Sequence, residues 1–380
     1  MKNVFIIGSR GYHFNYGGWE TFVSNLVDNY NDKETIFHIA TITTKKEEKE
    51  IKINDNILVN PIYVSIKGSP AMFLFSVKSF FFYLNYVKKN DLPKSYFYIL
   101  GLKLANFLGM TKNILKRYNI ITLVNPDGLE HKRGKWNYLV KKFFLFSEKS
   151  MLKNSDKIIC DAIGIKEYID TTYPKLKNKT TYIAYGANSI KFTDEFKNAT
   201  LKEYNLLEGN YLLMVGRCVP ENNYELVIKD FLKSNINKEL VIISNISNGN
   251  YYNKLIKETN CLSDKRIRFI DGVYDNKKLA VIRKCAYLYI HGHSVGGTNP
   301  SLLEALSLTD LNILYDVNFN HDIGSSSCLY FKEENSLKEL LDNKEYLDSQ
   351  KEQLGKKAKK IIQNNFTWDI IVKKYKKIFK

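Results

Sequence analysis

Short apolar runs alternate with segments of helical periodicity along the first half of the chain. The runs with strand length and composition are VFII (4–7), TIFHIAT (35–41), ILVNPIYV (57–64), YFYIL (96–100), IITLVN (120–125), KIIC (157–160) and TTYIAYG (180–186). Segments of helical length lie between several of them, for example 21–30 and 136–153. This alternation predicts a parallel sheet covered by helices on both faces.

The same pattern restarts after a polar break at 188–210. Its strand-like runs are YLLMVG (211–216), ELVIIS (239–244), IRFIDG (267–272), AYLYIHG (286–292) and NILYD (312–316). We therefore predict an α/β protein with two Rossmann-like domains, 1–190 and 191–365. The last segment, 366–380, reads as an amphipathic helix with a basic face, and we expect it to pack back on the first domain. Open parallel sheets bind ligands beyond the carboxyl ends of their strands, so we expect the two domains to face an interdomain cleft.

Charge and cysteine content narrow the class of partner. The 380-residue chain has a formal net charge of +17. That charge favours an anionic partner such as a nucleotide, a nucleic acid or an acidic membrane, although a lysine-rich composition alone would also produce it. A nucleic-acid binder is disfavoured because no stacking-aromatic or helix-turn-helix motif accompanies the charge. The five cysteines are far apart without a C-x-x-C, which argues against disulfides and zinc and is typical of a reducing cytoplasm.

The most lipid-like segment is PAMFLFSVKSFFFYLNYVKKN at 70–90. Lys78 interrupts it, and its apolar run is shorter than the roughly 20 residues of a spanning helix. Two interpretations stay open, a helix packed in the core and a helix lying on a membrane surface.

A glycine-rich loop, GSRGYHFNYGGWETFVSNL (8–26), follows the first strand. Glycines let a backbone approach a ligand closely, and the following helix offers N–H groups to an anion, so Gly17 and Gly18 are predicted to meet the substrate. The spacing is neither the dinucleotide fingerprint nor a P-loop. The alternative is that these glycines serve turn geometry alone. Trp19 is expected to pack the loop against its own domain, and Glu20 either contacts a ligand or favours the first helical turn.

Three further strand ends carry candidate chemistry. Arg217 directly follows a strand and a glycine, where a guanidinium can hold a diphosphate and stabilise a leaving group. Gly297, Thr298 and Asn299 precede a helix that begins at a proline, so this loop and helix N-terminus are expected to bind an anionic ligand such as a phosphate. A third loop, NPDGLEHKRGKW (125–136), begins where the strand at 120–125 ends.

That third loop places two carboxylates beside a strand end. Asp127 is the first candidate for contacting a ligand, and Glu130 is the second. The alternative for Asp127 is an Asp-Gly turn without chemistry. No D-x-D motif is present near a strand end, and His291 and His293 have no further ligands nearby, so we expect neither a metal nor another cofactor.

Taken together, the motifs resemble a known family. The chain resembles retaining glycosyltransferases of the GT-B fold in glycosyltransferase family four, and within them bacterial β-1,4-rhamnosyltransferases of polysaccharide biosynthesis. The resemblance covers nearly the whole chain, and its specific segments are GSRGYHFNYGGWETFVSNL, NPDGLEHKRGKWNYLVKKFFLFSEKSMLKNSDKIICDAIGIKEYI (125–169), YLLMVGRCVPENNYELVI (211–228) and HSVGGTNPSLLEAL (293–306).

The resemblance implies roles for the candidate residues above. Asp127 would contact the acceptor hydroxyl or the donor sugar, with Glu130 as the second candidate, and Glu20 would either contact the acceptor or favour the first helical turn. The loop at 297–299 would hold the β-phosphate and the sugar of the donor.

The resemblance also implies roles for further residues. Glu304 would receive the ribose hydroxyls of the nucleotide, and Gly272, Val273 and Tyr274 would read the pyrimidine, chiefly through their backbone. The wider family often has a glutamate where this chain has Gly296, which argues against a glucose or mannose donor. The chain also departs from its relatives at His131, where an aromatic residue is expected.

The resemblance further implies a reaction and its partners. The donor would be dTDP-L-rhamnose, and the acceptor a lipid-linked saccharide on a polyprenyl diphosphate, in capsule or cell-wall polysaccharide synthesis. The enzyme would be cytoplasmic, in peripheral contact with the anionic inner face of the membrane, with no nucleic acid involved. The alternatives are the same scaffold with UDP-glucose, UDP-galactose or GDP-mannose, and a non-catalytic nucleotide-sugar-binding protein.

Overall fold

The protein consists of two compact units, each built on its own sheet. The computed structural model describes residues 1–13, 17–132, 137–188, 190–246, 250–295 and 297–380. Unit 1 comprises Met1–Gly186 together with Trp368–Lys380, and unit 2 comprises Ala187–Thr367.

The sheet of unit 1 has eight strands in the described residues. They are β1 (Lys2–Ile7), β2 (Thr35–Thr43), β3 (Ile51–Asn54), β4 (Ile57–Tyr63), β5 (Ser95–Leu100), β6 (Ile120–Asn125), β7 (Lys157–Cys160) and β8 (Thr180–Tyr182). Their order is β3-β4-β2-β1-β5-β6-β7-β8, and every pairing is parallel except that of β3 with β4. The central strand β1 is buried on both faces, which explains its continuous apolar run.

The sheet of unit 2 has six strands in the described residues, all parallel. They are β9 (Tyr211–Val215), β10 (Glu239–Ile243), β11 (Ile267–Ile270), β12 (Leu288–His291), β13 (Asn312–Tyr315) and β14 (Leu329–Phe331). Their order is β11-β10-β9-β12-β13-β14. The strand order reverses direction between β9 and β12, as it does between β1 and β5 in unit 1. Such a switch point is where open α/β sheets bind ligands.

Helices cover both sheets. They are α1 (Gly18–Asp28), α2 (Ser69–Lys89), α3 (Phe107–Met110), α4 (Lys112–Arg117), α5 (Tyr138–Asn154), α6 (Ile163–Thr172), α7 (Asp194–Glu203), α8 (Tyr224–Lys233), α9 (Asn250–Thr259), α10 (Asn276–Cys285), α11 (Pro300–Leu308), α12 (Asn318–Gly324), α13 (Ser336–Asp342), α14 (Lys344–Asn365) and α15 (Trp368–Ile378). Short 3-10 turns occur at Glu130–Lys132, Pro174–Lys179, Pro220–Asn222, Cys261–Ser263 and Ser325–Ser327.

Two segments discussed in the sequence analysis, 70–90 and 366–380, form helices that pack in unit 1. Helix α2, the lipid-like segment, packs in the core of unit 1 through Phe75, Phe80 and Tyr83, which are fully buried. Helix α15 also belongs to unit 1, where the hydroxyls of Tyr375 and Tyr98 lie 2.7 Å apart. Within the described ranges, no helix combines the length and apolar character needed to cross a membrane.

Three of the elements that the sequence interpretation did not identify have a clear physical reason. Strand β3 is exposed along its whole length and pairs antiparallel with β4, and β14 has only three residues, so neither shows a buried apolar run. Helix α7 lies inside the polar break, where Thr193 Oγ1 accepts a hydrogen bond from Phe196 N at 3.3 Å and caps it.

Candidate active site

The glycine-rich loop lies at the switch point of unit 1 and needs glycine at specific places. Gly8 has φ of 107°, and a Cβ there would lie 2.2 Å from the carbonyl oxygen of Leu100 on β5. Gly17 has φ of 144°, and its Cβ would lie 1.8 Å from Glu20 Oε2. At Gly18, by contrast, a Cβ would meet nothing within 4 Å. The turn therefore requires Gly17, whereas it makes no such demand at Gly18.

Glu20 and Trp19 stabilise this loop through contacts with other parts of unit 1. Glu20 is buried, and its Oε1 accepts a hydrogen bond from the backbone N–H of Arg10 at 2.9 Å. Trp19 lies against Gly101, just beyond β5, with Lys103 Nζ 4.9 Å from the indole ring centroid. This hydrogen bond gives Glu20 a role in shaping the loop, which is neither of the two roles expected from the sequence.

Two aspartates come together beyond the neighbouring strands β6 and β7. The parallel register pairs Val124 with Ile158, so Asp127 and Asp161, three residues further along each strand, continue side by side. Asp127 is half-buried with φ of 60°, and its N–H donates to Asn125 Oδ1 at 2.9 Å, which closes an Asx turn that begins at Asn125. The structure thus gives Asp127 a turn conformation and a carboxylate neighbour at once.

Asp161 has a strongly shifted pKa. It is buried, and burial first, then the Asp127 carboxylate, raise the pKa of Asp161 to about 7. Its own backbone N–H and the hydroxyl of the buried Tyr185 act in the opposite direction. A carboxyl that titrates near neutral pH beside a second carboxylate is the arrangement that acid–base chemistry uses.

Glu130 begins a 3-10 turn next to a second buried carboxylate. Glu130 is half-buried, and the next residue, His131, places Nδ1 3.5 Å from Glu148 Oε2 on α5. Glu148 is 2% exposed, and its Oε1 accepts hydrogen bonds from the hydroxyls of Tyr168 at 2.9 Å and Tyr173 at 2.8 Å. His131 is therefore oriented by a buried glutamate.

In unit 2, the loops that follow β9 and β12 are joined across the switch point. Ser294 N and Oγ both donate to the carbonyl oxygen of Glu221 at 2.9 Å, and Asn223 Nδ2 donates to Gly292 O at 2.7 Å. A Cβ on Gly292 would lie 2.1 Å from the carbonyl oxygen of Asn222, so glycine is needed for this approach.

Asn222 connects these loops to Arg217. Its Nδ2 donates to the carbonyl oxygen of Arg217 at 2.7 Å, which directs its Oδ1 to His293 Nδ1 at 2.7 Å. The Arg217 side chain is exposed, and among the described residues no carboxylate lies within 4.0 Å of its guanidinium. The backbone is fixed while the cation stays available for an anionic ligand.

The loop before α11 is partly shaped by its own side chains. Asn299 is the N-cap residue, and its Oδ1 accepts a hydrogen bond from Ser301 N at 2.9 Å, so that N–H is already satisfied. Thr298 is buried and Gly297 half-buried. Gly296 lies outside the described residues. Anion binding at this helix N-terminus would use the remaining N–H groups.

Glu304 does not stand alone on α11. Its Oε2 lies 2.6 Å from Nη1 of Arg283, which is 3% exposed on α10, and Arg283 Nη2 donates to Ser301 Oγ at 3.0 Å. Tyr289 Oη lies 3.0 Å from the same Ser301 Oγ. Glu304 is one-quarter exposed, so the buried arginine fixes the carboxylate while leaving part of it open to solvent.

The predicted base-reading segment follows β11. Val273 is buried in the core of unit 2, and Tyr274 is 52% exposed. A Cβ on Gly272 would lie 2.7 Å from Tyr274 Oη, so the tyrosine hydroxyl lies over the glycine backbone. This leaves the backbone of Gly272 and the ring of Tyr274, rather than the Val273 side chain, as groups that can meet a base.

His291 is a core residue. It is fully buried, and burial lowers its pKa well below the ordinary value, with the neighbouring His293 and Arg283 acting in the same direction. In the part of the chain that the structure describes, no group of three His, Cys, Asp or Glu side chains is placed to hold a metal ion.

Comparison with known proteins bears on this arrangement. Residues 1–188 match a family model described as a domain of unknown function, DUF1972. The whole chain is 24% identical to an uncharacterized glycosyltransferase, MJ1069, of Methanocaldococcus jannaschii, covering 100% of this chain and 99% of that protein.

Solved structures match over the full length as well. Sucrose-phosphate synthase (tll1590) from Thermosynechococcus elongatus has a TM-score of 0.80 at 16% identity, covering 100% of this chain and 98% of that one. Anabaena Alr3699/HepE in complex with UDP and glucose has a TM-score of 0.72 at 11% identity, with 100% and 99% covered. The predicted α/β fold of GT-B type, with two Rossmann-like domains, is confirmed. The comparisons support the broader part of the resemblance, a glycosyltransferase of the GT-B type.

Proposed function

We propose that this protein is a GT-B glycosyltransferase in which unit 2 binds a nucleotide-sugar donor. The observation that carries the proposal is the pair of joined loops at the switch point of unit 2, with the exposed Arg217 on one and the N-terminus of α11 following the other. A guanidinium and helix N–H groups suit a diphosphate, and Glu304, one-quarter exposed beyond them, suits a ribose diol.

The chemistry assigned to this site is transfer with retention. The bond between the anomeric carbon and the β-phosphate oxygen breaks, and a bond forms between that carbon and the acceptor oxygen on the same face. The acceptor proton goes to the leaving phosphate, so no enzyme nucleophile is needed. Arg217 stabilises the negative charge that develops on the departing diphosphate.

We assign the donor as dTDP-β-L-rhamnose and the acceptor as a sugar on a polyprenyl diphosphate carrier. The support is the resemblance of the segments at 8–26 and 125–169 to bacterial rhamnosyltransferases. Unit 1 would then handle the acceptor, with Asp127 as the first carboxylate to contact its hydroxyl and Glu130 as the second. The buried Asp161 beside Asp127 supports an electrostatic role for this pair at the acceptor, whose proton goes to the leaving phosphate.

The alternative is a donor with a different nucleotide and sugar. Anabaena Alr3699/HepE is solved with UDP and glucose, and it shares this fold over the full chain. The alternative function is therefore the same transfer with a UDP-sugar or GDP-mannose, and beyond it a nucleotide-sugar-binding protein without turnover.

A donor screen tests the proposal. Purified protein is titrated with dTDP-rhamnose, UDP-glucose, UDP-galactose and GDP-mannose, and thermal stabilisation and donor hydrolysis are followed in parallel. We expect dTDP-rhamnose to raise the Tm most and to be consumed. Consumption of a UDP-sugar with no response to dTDP-rhamnose would make the donor assignment wrong, and stabilisation without any consumption would favour the binding protein.

Arg217→Ala should lower turnover much more than it weakens donor binding. Losing a charge-assisted contact that strengthens in the transition state costs on the order of 3 kcal/mol, or about a hundredfold in rate. Arg217→Lys keeps the charge but loses the two-pronged hydrogen bonding of the guanidinium, so its turnover should lie between those of the parent and Arg217→Ala. Lys265→Ala, which removes another exposed cation of unit 2, is the matched control. Activity of Arg217→Ala within a few-fold of the parent would remove Arg217 from the diphosphate site.

A further inference from the structure

Helix α5 of unit 1 exposes large apolar side chains on its outer face. Leu139 is 75% exposed and Phe146 is 56% exposed, and Phe143 lies between them at helical spacing. The opposite side of the helix is anchored in unit 1, because Met151 and Leu152 are fully buried. Scattered apolar residues on a surface are ordinary, but a contiguous stripe of them marks a binding surface.

Two further exposed apolar residues lie on the helices α3 and α4. Met110 at the end of α3 is 71% exposed, and Ile114 on α4 is also exposed. Ser150 of α5 donates a hydrogen bond from Oγ to Oδ1 of Asn106, the residue before α3, at 2.9 Å, which places these helices side by side. We call Met110, Ile114, Leu139, Phe143 and Phe146, with the lysines described next, the α5 surface.

Basic side chains accompany these apolar residues, and exposed acids do not. The cations on α4 and α5 are Lys112, Lys116, Arg117, Lys141, Lys142, Lys149 and Lys153. The acidic residue of α5 is Glu148, which is buried and turned to Tyr168 and Tyr173, and the sequences of α3 and α4 contain none. The α5 surface therefore combines apolar and positive character.

We propose that the α5 surface binds an anionic lipid bilayer, with its apolar side chains in the interface and its lysines at the headgroups. Apolar residues flanked by lysines on a helix lying in the membrane plane are the pattern of peripheral lipid binding. A second copy of this chain fits less well, because a twofold contact would bring lysine against lysine with no exposed acid on α3, α4 or α5 to pair with them. Lipid binding itself does not depend on the proposed function. If the surface also brings the enzyme to a lipid-linked acceptor, that consequence rests on the proposed function.

The surface differs from the one that the sequence suggested. The aromatic segment at 70–90 packs in the core as α2, whereas Phe73 on that helix contacts Phe143 of the α5 surface with ring centroids 5.9 Å apart. The proposed contact lies on α5 because its apolar side chains are the more exposed ones, with Leu139 at 75% and Phe146 at 56% against 40% for Phe82 on α2.

Vesicle binding by the purified full chain tests the proposal. The probes are phosphatidylcholine vesicles with and without about one-third phosphatidylglycerol, followed by flotation. We expect binding to the anionic vesicles, a loss of at least tenfold in partition coefficient for Leu139→Ser with Phe146→Ser, and parent-like binding for the matched pair Leu207→Ser with Leu262→Ser, which are exposed in unit 2. Lys142→Gln and Lys149→Gln should each weaken binding about fivefold, against Lys202→Gln and Lys265→Gln as controls.

Three outcomes would overturn the proposal. They are a parent that does not bind anionic vesicles, an α5 variant that binds as the parent does, and a parent that is dimeric in solution while the Leu139→Ser, Phe146→Ser variant is monomeric. The last would assign the surface to a second copy. Hydrolysis of a soluble donor without vesicles is measured on the same preparations. It reports on the proposed function separately, and we expect it to be unchanged in the α5 variants.

Discussion

Replacing Gly18 with valine should abolish sugar transfer while leaving the Tm of the protein close to that of the parent. The position accepts a side chain, because a Cβ on Gly18 would meet nothing within 4 Å and the residue is exposed at the start of α1. The same open space, beside the switch point of unit 1, is where we expect substrate to approach the backbone. A valine there would fill the space that substrate needs.

Gly17 supplies the matched control one residue earlier. Its φ of 144° is strained for any residue with a side chain, and its Cβ would collide with Glu20 Oε2 at 1.8 Å. Gly17→Ala should therefore lower the Tm, because Glu20 must give up its hydrogen bond to Arg10 N or the loop must move. The two glycines look equivalent in the sequence, yet the structure predicts opposite phenotypes.

Melting temperature and transfer are measured on the same preparations of both variants. Gly18→Ala, with its single methyl group, should retain part of the activity. If Gly18→Val is fully active, or if its activity falls only in step with its Tm, the loop serves turn geometry and does not contact substrate.

The strands that carry the switch points could be predicted from sequence because parallel strands are buried on both faces. VFII and YLLMVG, which became β1 and β9, are continuous apolar runs for that reason. Strand β3 could not be found in the same way, since its IKIN sequence is exposed at every position. The glycines and the arginine at strand ends could also be proposed as site residues from the sequence, because a ligand at the edge of a parallel sheet meets the residues that follow the strands.

The buried polar partners of the site could not be predicted in this way. Asp161 lies beside Asp127 only because of the β6–β7 register, and Arg283 reaches Glu304 from a different helix, 21 residues earlier in the chain. Glu148 looks like a surface residue of an amphipathic helix until Tyr168 and Tyr173 are placed against it. Pairings of this kind depend on tertiary packing, and a strongly perturbed buried group is the signal that reveals them.

Asp161→Asn should remove a large pH dependence from the stability of unit 1. The pKa of Asp161 is about 7 in the folded protein against an ordinary 3.8, so between these values the folded state holds a proton that the unfolded state has lost. The stability contributed by this group is therefore present at low pH and is lost as the pH rises toward 7. Because each tenfold change in proton affinity is worth about 1.36 kcal/mol, the loss reaches about 4 kcal/mol between pH 4 and pH 8.

Asparagine carries no charge at any of these pH values, so the parent should lose stability relative to the variant as the pH rises. Unfolding in urea is followed by tryptophan fluorescence, which reports on unit 1 because the tryptophans at 19, 136 and 368 all fall within its residue ranges. Asp55→Asn is the control: the same chemical change at an exposed aspartate, whose pKa is lowered by its hydrogen bond to Lys52, should leave the pH profile almost as it was. A parent-minus-Asp161→Asn difference that stays flat from pH 4 to pH 8 would mean that Asp161 ionises as an exposed carboxylate does, and the Asp127–Asp161 pair would then have no special role in acid–base chemistry.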